Sequence, residues 1–442
     1  LLTGNADDWD RRIVVHNAPT FGILGEPARL VVSVEDEGAA PPPPDEGVLV
    51  RLSVDVAPAR EFRLPIGRPV EIPFELDHGG RNLVRLEVAP APGELSHANN
   101  SALIDVNGVR DRLRVLLVSG APHVGERTWR NLLKSDSAVD LVHFTILRPP
   151  EKHDGVPVDE LSLIAFPTRE LFIDKIDEFD LIIFDRYRLR GILPNIYLDN
   201  VRRYVEDGGA VLVTAGPDFA SAASLARSPL GDVLPMRPTG RVIEKGFRPR
   251  VTELGRRHPV TEALEALAPA RPRADGAPGW GRWFRQIEIA PADRQASPAA
   301  GAAQTVMSGV DDKPLLVLQR VGKGRVALLA SDHAWLWHRG FEGGGPQLEL
   351  LRRLAHWTMK EPRLEEEALW AEARPGGLTI WRRTMGDTAA DVTLTGPDGT
   401  TRTATPAPRG PGRFAVDVDG LPDGIYALDD GTLRAVAAVG AA

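Results

Sequence analysis

The sequence contains no cysteine among its 442 residues. Without thiols, the chain can form no disulfide, no zinc–cysteine site and no iron–sulfur site, and it has no thiolate nucleophile. It also lacks any apolar run of about 18 residues, which a membrane-spanning helix requires. A long basic run is missing too, and 53 Lys and Arg face 61 Asp and Glu. The net charge of -8 therefore argues against nucleic acid as the main partner.

Glycine and proline are plentiful, with 43 and 38 copies. Together they stay below the share of about 25–30% that indicates disorder. At roughly 150 residues per domain, the length predicts about three domains. The chain begins at Leu1 without an initiator methionine, and it ends on an apolar stretch. We expect it to be a piece of a longer polypeptide, with a processed secreted protein as the alternative.

Residues 1–108 are predicted to form a first β domain. Apolar and polar residues nearly alternate in three stretches, which are 28–36, 48–56 and 81–88. Period-2 stretches separated by turns rich in glycine and proline indicate an antiparallel sandwich. A turn from Glu94 to Asn99-Asn100 precedes the last strand, and asparagine tolerates the left-handed backbone of such turns. The segment resembles bacterial immunoglobulin-like modules of cell-surface proteins, and the resemblance implies a spacer or adhesive role.

Residues 109–361 show a different pattern, in which continuous apolar runs alternate with helical segments. The predicted strands are 113–118, 139–147, 181–184 and 210–213, followed by a hairpin of 315–320 and 325–330. The predicted helices are 128–134, a segment around 198–205, and 347–359. Pro194 and Gly208 mark the ends of the second helix. Apolar strands that alternate with helices are buried on both faces, so the pattern predicts a doubly wound parallel sheet.

Five segments of this domain resemble class I glutamine amidotransferase-like domains when their order and spacing are taken together. They are RVLLVSG, FDLIIFD, YVEDGGAVLVTAG, RHPVTEAL and VGKGRVALLASDHAWLW. The nearest branch is that of large envelope membrane proteins of proteobacteria, and trehalose-utilisation-type proteins are similar. The resemblance implies a flavodoxin-like sheet with its site at the carboxyl ends of the strands.

The resemblance also implies a catalytic Cys on a strand-to-helix turn and a His-x-Glu pair. The matching turn follows the strand 210–213, and Thr214, Ala215 and Gly216 stand there without a Cys. His333 matches the family histidine, but Trp335 occupies the place of the Glu. Glutamine hydrolysis through a thioester is therefore excluded.

A hydroxyl could replace the missing thiol. Ser119 and Thr214 both stand at carboxyl ends of predicted strands. A hydroxyl needs a positioned base and an oxyanion hole, and His333 could serve as the base with Asp332 or Asp185 to orient it. The alternative is that Ser119 and Thr214 cap helices or close turns, as such residues commonly do.

The same strand ends predict a ligand-binding crevice. Its expected lining residues are Gly120, Asp185, Arg186, Tyr187, Gly216 and Trp335. The histidines His123, His143 and His153 have no metal-ligand spacing, so we predict neither a metal site nor a cofactor.

Two tryptophan pairs allow two interpretations. Trp280 and Trp283 lie close together beside arginines, and Trp335 and Trp337 are two residues apart. In a strand or extended loop, residues two apart share a face, so such pairs could stack on a sugar ring or bind a partner segment. Core packing between the sheet and the final helix is the alternative.

Residues 362–442 are predicted to form a second small β-sandwich. The predicted strands are 378–381, 390–395, 413–418 and 424–428, with turns of Gly-Pro-Asp-Gly and Leu-Pro-Asp-Gly sequence. The segment resembles the carboxyl-terminal immunoglobulin-like modules of the same envelope proteins.

Three functions remain open at this level. The first is a non-catalytic binding or scaffold region of a periplasmic or cell-envelope protein, joined to the membrane through segments outside this chain. Its ligand would be a protein, a small molecule or a glycan. The second is a hydrolase or carbohydrate-processing enzyme with a Ser/Thr–His–Asp site in the same crevice. The third is a glycan-binding surface protein, which exposed Trp280 and Trp283 would favour.

Overall fold

The computed structural model of the chain forms two compact units. One consists of residues 1–111 with 366–442, and the other of residues 112–365. The structure describes residues 5, 7–42, 44, 46–109, 112–120, 122–145, 167–189, 191–267, 279–291 and 297–440. The protein is multidomain and rich in β structure, as the sequence predicts. The division into three domains at residues 108 and 361 stays a prediction.

The amino-terminal segment is a sandwich of two sheets. Its strands are β1 (Trp9–Asn17), β2 (Phe21–Ile23), β3 (Ala28–Gly38), β4 (Val48–Val54), β5 (Arg60–Leu64), β6 (Val70–Phe74), β7 (Gly80–Val88) and β8 (Ser101–Val109). The sheets have the orders β1-β3-β6 and β2-β8-β7-β4-β5. Val50 and Leu52 of β4 are buried while Arg51 between them is exposed, so the predicted alternation is confirmed.

The asparagine turn of this sandwich is stabilised by side chains. Asn100 Nδ2 donates to Glu94 Oε1 at 2.7 Å, and Asn99 Nδ2 donates to Asp10 Oδ2 at 2.6 Å. Neither asparagine has a positive φ. The expectation of left-handed backbone is therefore wrong. Asn100 closes the turn through its hydrogen bond to Glu94, and Asn99 connects the turn to Asp10 of β1.

The second unit is built around an eight-stranded sheet. The strands of the unit, including two outside this sheet, are β9 (Leu113–Ser119), β10 (Val139–Thr145), β11 (Leu181–Asp185), β12 (Ala210–Thr214), β13 (Arg237–Ile243), β14 (Arg250–Val251), β15 (Gln286–Ala290), β16 (Gln304–Ser308), β17 (Pro314–Val321) and β18 (Gly324–Leu329). The sheet has the order β10-β9-β11-β12-β18-β17-β16-β14, and β13 pairs with β15 separately. The first five strands are parallel and the last three run antiparallel to their neighbours.

Helices cover both faces of this sheet. They are α1 (Val124–Ser135), α2 (Asn195–Asp207), α3 (Glu253–Arg257), α4 (Trp335–His338) and α5 (Gln347–Thr358). Apolar residues of α1 and α5 pack in one core with Leu117 and Ile183, and those of α2 pack in a second core with Leu116 and Ile182. Successive strand residues point to opposite faces, which explains why these strands are apolar throughout.

One local expectation in this unit is wrong. Trp335 and Trp337 lie in the short helix α4 rather than in a strand or an extended loop. A helix places residues two apart in different directions. Accordingly, Trp337 is buried at 3% exposure, whereas Trp335 is only half-buried.

The carboxyl-terminal segment is again a sandwich of two sheets. Its strands are β19 (Ala368–Arg374), β20 (Gly377–Arg383), β21 (Val392–Thr395), β22 (Thr401–Ala404), β23 (Ala407–Gly410), β24 (Arg413–Asp419), β25 (Gly424–Asp429) and β26 (Arg434–Val439). The sheets have the orders β19-β20-β24-β23 and β22-β21-β25-β26. Ile380 of the first sheet and Leu394 and Leu428 of the second share one core.

A buried carboxylate joins the two sheets of this sandwich. Asp430 follows β25 and accepts hydrogen bonds from the backbone N–H groups of Thr432 and Leu433 at 2.9 and 2.6 Å. It also accepts one from Arg382 Nε of β20 at 2.5 Å. Burial by itself would raise the pKa of Asp430, but these hydrogen bonds outweigh it and lower the pKa from 3.8 to about 2.

The carboxyl-terminal sandwich is expected to lose stability in acid through this group. Since the pKa of Asp430 is lower in the folded state, the carboxylate stabilises the fold above its unfolded pKa of 3.8, and this contribution is lost as the pH falls towards 2. The shift corresponds to about 2 kcal/mol. Scanning calorimetry of Asp430→Asn should show that loss at pH 7 and a smaller difference from wild type below pH 3.

Asp429→Asn is the matched control, because Asp429 is 41% exposed and pairs with Arg434 on the surface. Its effect should stay within about 0.5 kcal/mol, as for ordinary surface substitutions. Equal effects of the two substitutions at pH 7 would contradict the role of Asp430.

Candidate functional site

The parallel strands end in one row of polar residues. The strand register pairs Thr145 with Ser119, Ser119 with Asp185, and Asp185 with Thr214. These residues come from β10, β9, β11 and β12, so the carboxyl edge of the sheet collects four polar side chains side by side. Ligands of open parallel sheets bind at this edge.

Asp185 is the centre of this row. It is 1% exposed, and its two carboxylate oxygens bind different partners. Thr214 Oγ1 donates to Oδ1 at 2.6 Å, and His123 Nε2 lies 2.6 Å from Oδ2. A buried carboxylate needs such donors, because leaving one without them costs several kcal/mol.

His123 belongs to this site although its sequence position alone did not predict it. The residue caps the amino terminus of α1, where the backbone N–H of Gly125 donates to its Nδ1 at 3.1 Å. Because Nδ1 accepts a hydrogen bond, the hydrogen-bond network assigns the ring proton to Nε2. The Nε2–H group then donates a hydrogen bond to Asp185. The available signal was its position in the loop directly after a predicted strand.

Asp332 lies in the loop after β18 and is held by two arginines. Arg285 Nη1 donates to its Oδ2 at 3.1 Å, and Arg186 Nε lies 3.3 Å from the same oxygen. The Asp332 side chain is only 2% exposed, so both guanidiniums shield it from solvent. Arg285 is a second residue that the sequence analysis did not single out.

His333 follows Asp332, but the two side chains do not form a hydrogen bond. His333 Nε2 is 3.7 Å from the nearest Asp332 oxygen. The backbone N–H of Phe284 donates to His333 Nδ1 at 3.2 Å. Burial lowers the pKa of His333, the charges of Arg285 and Arg186 lower it further, and Asp332 opposes them. The imidazole is therefore neutral at pH 7, with its proton on Nε2.

The predicted nucleophiles are both buried. Thr214 is 3% exposed and donates to Asp185 rather than to His333. Ser119 is fully buried, and its Oγ has no hydrogen-bond partner among the described residues. The structure thus groups Ser119, Thr214 and Asp185, and it places His333 and Asp332 in a second group with the arginines.

The space between these groups is small. A cavity of about 10 Å³ is lined by residues of α1, β11, β12 and the loop after β18, including His123, Asp185, Thr214, Asp332 and Trp335. That is about the room for a single water molecule. A ligand of sugar size does not fit inside this cavity, and Trp335 on its lining is half-buried.

The remaining predicted binding residues have distinct positions. Gly120 and Gly216 both lie against Arg186: a side chain on Gly120 would collide with the Arg186 carbonyl, and a Cβ on Gly216 would come within 3.0 Å of the Arg186 side chain. Tyr187 is 3% exposed and packs edge-on against Phe184, so its side chain belongs to the core. Burial raises the pKa of Tyr187.

A second polar cluster lies beside the row. Thr145 Oγ1 donates to Glu126 Oε1 at 2.7 Å, and His143 Nε2 is 3.1 Å from the same hydroxyl. Burial lowers the pKa of His143. Within the described ranges, no group of three or more His, Asp or Glu residues could hold a metal ion. His153 lies outside the described residues.

Trp280 and Trp283 are core residues. They are 1% and 0% exposed, and their ring centroids lie 5.1 and 4.8 Å from that of Trp337. The interpretation as core packing is confirmed for this pair. The hypothesis that they form a glycan-binding surface is wrong, because a buried ring cannot stack on a sugar.

No family model matches the chain, and no curated protein matches it. The CARDB domain of a Pyrococcus furiosus protein aligns with 23% of this chain and 96% of its own length, at 17% identity and a TM-score of 0.20. An exo-β-1,4-mannosidase from an Opitutaceae bacterium aligns over 56% of this chain and 36% of its own, at 13% identity and a TM-score of 0.30.

A carbohydrate acetylesterase from Xanthomonas citri aligns over 96% of this chain and 97% of its own, at 10% identity and a TM-score of 0.20. At such scores, none of these similarities carries an argument about fold or function. Among the described residues, no helix has both the length and the apolar character needed to cross a membrane.

Proposed function

We propose that residues 112–365 form a flavodoxin-like domain, similar to those of class I glutamine amidotransferases. We further propose that this domain binds a ligand at the carboxyl edge of its sheet and does not catalyse a reaction of that ligand. The strand order supports the fold. Numbered along the chain, the five parallel strands β9 to β12 and β18 have the order 2-1-3-4-5, which is that of flavodoxin-like sheets.

The hydrogen bonds of the two crevice histidines support the non-catalytic part of the proposal. A neutral imidazole has one lone pair to accept a proton. In His123 and in His333, a backbone N–H already donates to the Nδ1 lone pair, from Gly125 and from Phe284. In this arrangement neither ring offers an unoccupied lone pair to a Ser or Thr hydroxyl, as a general base must.

The hydroxyl of Thr214 points to the same conclusion. The hydroxyl donates a hydrogen bond to the carboxylate of Asp185, which His123 also contacts. The two oxygens of Asp185 thus bind groups of the protein and connect neighbouring segments at the edge of the sheet. The alternative of a hydrolase that uses Ser119 or Thr214 with His333 and Asp332 stays a prediction, and the same assays test it.

We expect the purified protein to release no ammonia from glutamine. It should also hydrolyse p-nitrophenyl acetate and acetylated sugars no faster than its Thr214→Ala and His333→Ala variants do. Each variant is checked by circular dichroism so that lost folding is not mistaken for lost activity. A turnover rate that either substitution abolishes in a folded protein would refute the non-catalytic role and support the hydrolase.

We further propose that the protein works in the cell envelope, joined to a membrane through segments outside this chain. Its two sandwiches would be immunoglobulin-like spacers. The sequence resemblance of all three parts to envelope proteins supports this. Fractionation of cells that express the full-length gene product tests it: recovery in the cytosolic fraction would contradict the proposal.

A further inference from the structure

Arg186 stands at the mouth of the crevice in a backbone conformation that is unfavourable for it. Its φ is 48°, in the left-handed region that residues other than glycine rarely adopt. Gly120 and Gly216, at the ends of the two neighbouring strands, leave the room that its backbone and side chain occupy. Such strain persists where the surrounding structure enforces it, and it is concentrated at functional positions.

In the part of the chain that the structure describes, the Nε atom of the Arg186 guanidinium makes its closest contact with a protein carboxylate. Its Nε pairs with Asp332 Oδ2 at 3.3 Å. Across the described residues, no hydrogen bond of its two Nη groups is found. The side chain is 27% exposed, so a ligand at the mouth can reach these donors.

Two arginines and two buried carboxylates lie around the mouth. Asp332 is shared between Arg186 and Arg285. Asp185, the residue before Arg186, is the second buried carboxylate of the crevice, and its oxygens contact Thr214 Oγ1 and His123 Nε2 rather than an arginine. Glu244 is 70% exposed and lies 3.5 Å from Arg285. Solvent screens that pair strongly, so it offsets little of the positive charge. His333 is the remaining ionisable group beside Asp332.

An aromatic ring lines the cavity together with Asp332, the ion-pair partner of Arg186. Trp335 and Asp332 line one cavity, and the Trp335 ring stands edge-on to His333 at a centroid distance of 6.2 Å. Trp335 is half-buried, so part of its ring is open to a ligand. The apolar C–H face of a pyranose ring can pack on such an indole while a charged group bonds nearby.

We propose that the mouth binds a carboxylate-bearing sugar, with the free Nη groups of Arg186 on the carboxylate and Trp335 against the ring. The two Nη groups match the two oxygens of a carboxylate. The inference rests on the proposed function, because it names the class of ligand that the same crevice takes.

Titration calorimetry of the full chain at low ionic strength tests the proposal, with D-galacturonate as the probe. Its methyl ester keeps the ring without the charge, and acetate keeps the charge without the ring. We expect saturable binding of galacturonate that is at least about tenfold tighter than that of either analogue. Equal binding of inorganic phosphate would overturn the carboxylate assignment, since it would show a general anion site.

Single substitutions test whether Arg186 and Trp335 bind galacturonate. Arg186→Gln should weaken galacturonate binding about tenfold or more, and Arg186→Lys should weaken it while keeping the charge beside Asp332. Trp335→Ala should weaken binding of galacturonate but not of acetate. The matched control is Arg188→Gln: Arg188 is 36% exposed and lies 3.7 Å from Asp218. Equal losses for the variants at 186 and 188, or no saturable binding by the wild type, would refute the proposal.

The outcomes separate this inference from the proposed function. No galacturonate binding together with no turnover in the glutamine and ester assays would refute the inference alone. Binding of galacturonate together with turnover that His333→Ala abolishes would refute the non-catalytic role and leave the carboxylate site in place.

Discussion

Replacing Asp185 by alanine is expected to destabilise the α/β unit by about 2–5 kcal/mol, because each buried donor left without an acceptor costs about 1–3 kcal/mol. The two donors are Thr214 Oγ1 and His123 Nε2, each 2.6 Å from an Asp185 oxygen. Asp185 is 1% exposed, so bulk solvent does not reach these donors. Hydrogen exchange of the amides of β11 and β12 in the full chain measures the loss within this unit.

Graded substitutions sharpen this test. Asp185→Asn keeps one carbonyl oxygen, so it should cost less than alanine. Thr214→Val leaves the buried Asp185 Oδ1 without its donor, so it should cost about 1–3 kcal/mol. The control is Asp218→Ala, because Asp218 is 39% exposed and its pair with Arg188 spans 3.7 Å. If Asp185→Ala cost no more than this control, Asp185 would not hold the carboxyl edge together.

The second large effect is expected for Trp337→Ala, at about 3–5 kcal/mol. The Trp337 ring packs against Trp280 and Trp283, and its Nε1 donates to the carbonyl oxygen of Gly281 at 2.8 Å. Alanine would leave a cavity among rings that cannot collapse to fill it. Urea denaturation of the full chain should show the midpoint of this unit shifting with an unchanged slope.

Trp337→Phe separates packing from hydrogen bonding. Phenylalanine keeps an aromatic ring but leaves the Gly281 carbonyl without its donor, so an intermediate loss is expected. The control is Leu348→Ala on α5, because Leu348 is 61% exposed and its loss should change stability by about 0.5 kcal/mol or less. A loss for Trp337→Ala as small as that of the control would contradict the role of this cluster in the core.

The strands and helices of the α/β unit could be predicted because their signals are local. The run Leu181–Phe184 is apolar at every position, as burial on both faces of a sheet requires, and the structure extends that strand only to Asp185. Pro194 and Gly208 flank α2 as predicted, with Gly208 at a φ of 136°. Local patterns failed at α4, where Trp335 and Trp337 were expected in an extended segment.

The contacts of the site could be predicted only in part. The position of Asp185, Thr214 and Ser119 at strand ends follows from the pattern of apolar runs, because parallel strands end at one edge. Their partners do not follow from it. His123 lies 62 positions from Asp185, and Arg285 lies 47 positions from Asp332. Which loops meet at the edge depends on strand order and register, and a sequence pattern specifies neither.

The sequence by itself determined that thiolate chemistry is excluded, since no cysteine is present. It also determined which segments are buried strands, because burial on two faces leaves a continuous apolar run. Only the tertiary structure decided where the protons of the crevice lie. It directs the Thr214 hydroxyl to Asp185 and a backbone N–H to Nδ1 of His333, because hydrogen bonds between distant segments form only once the sheet has brought them together.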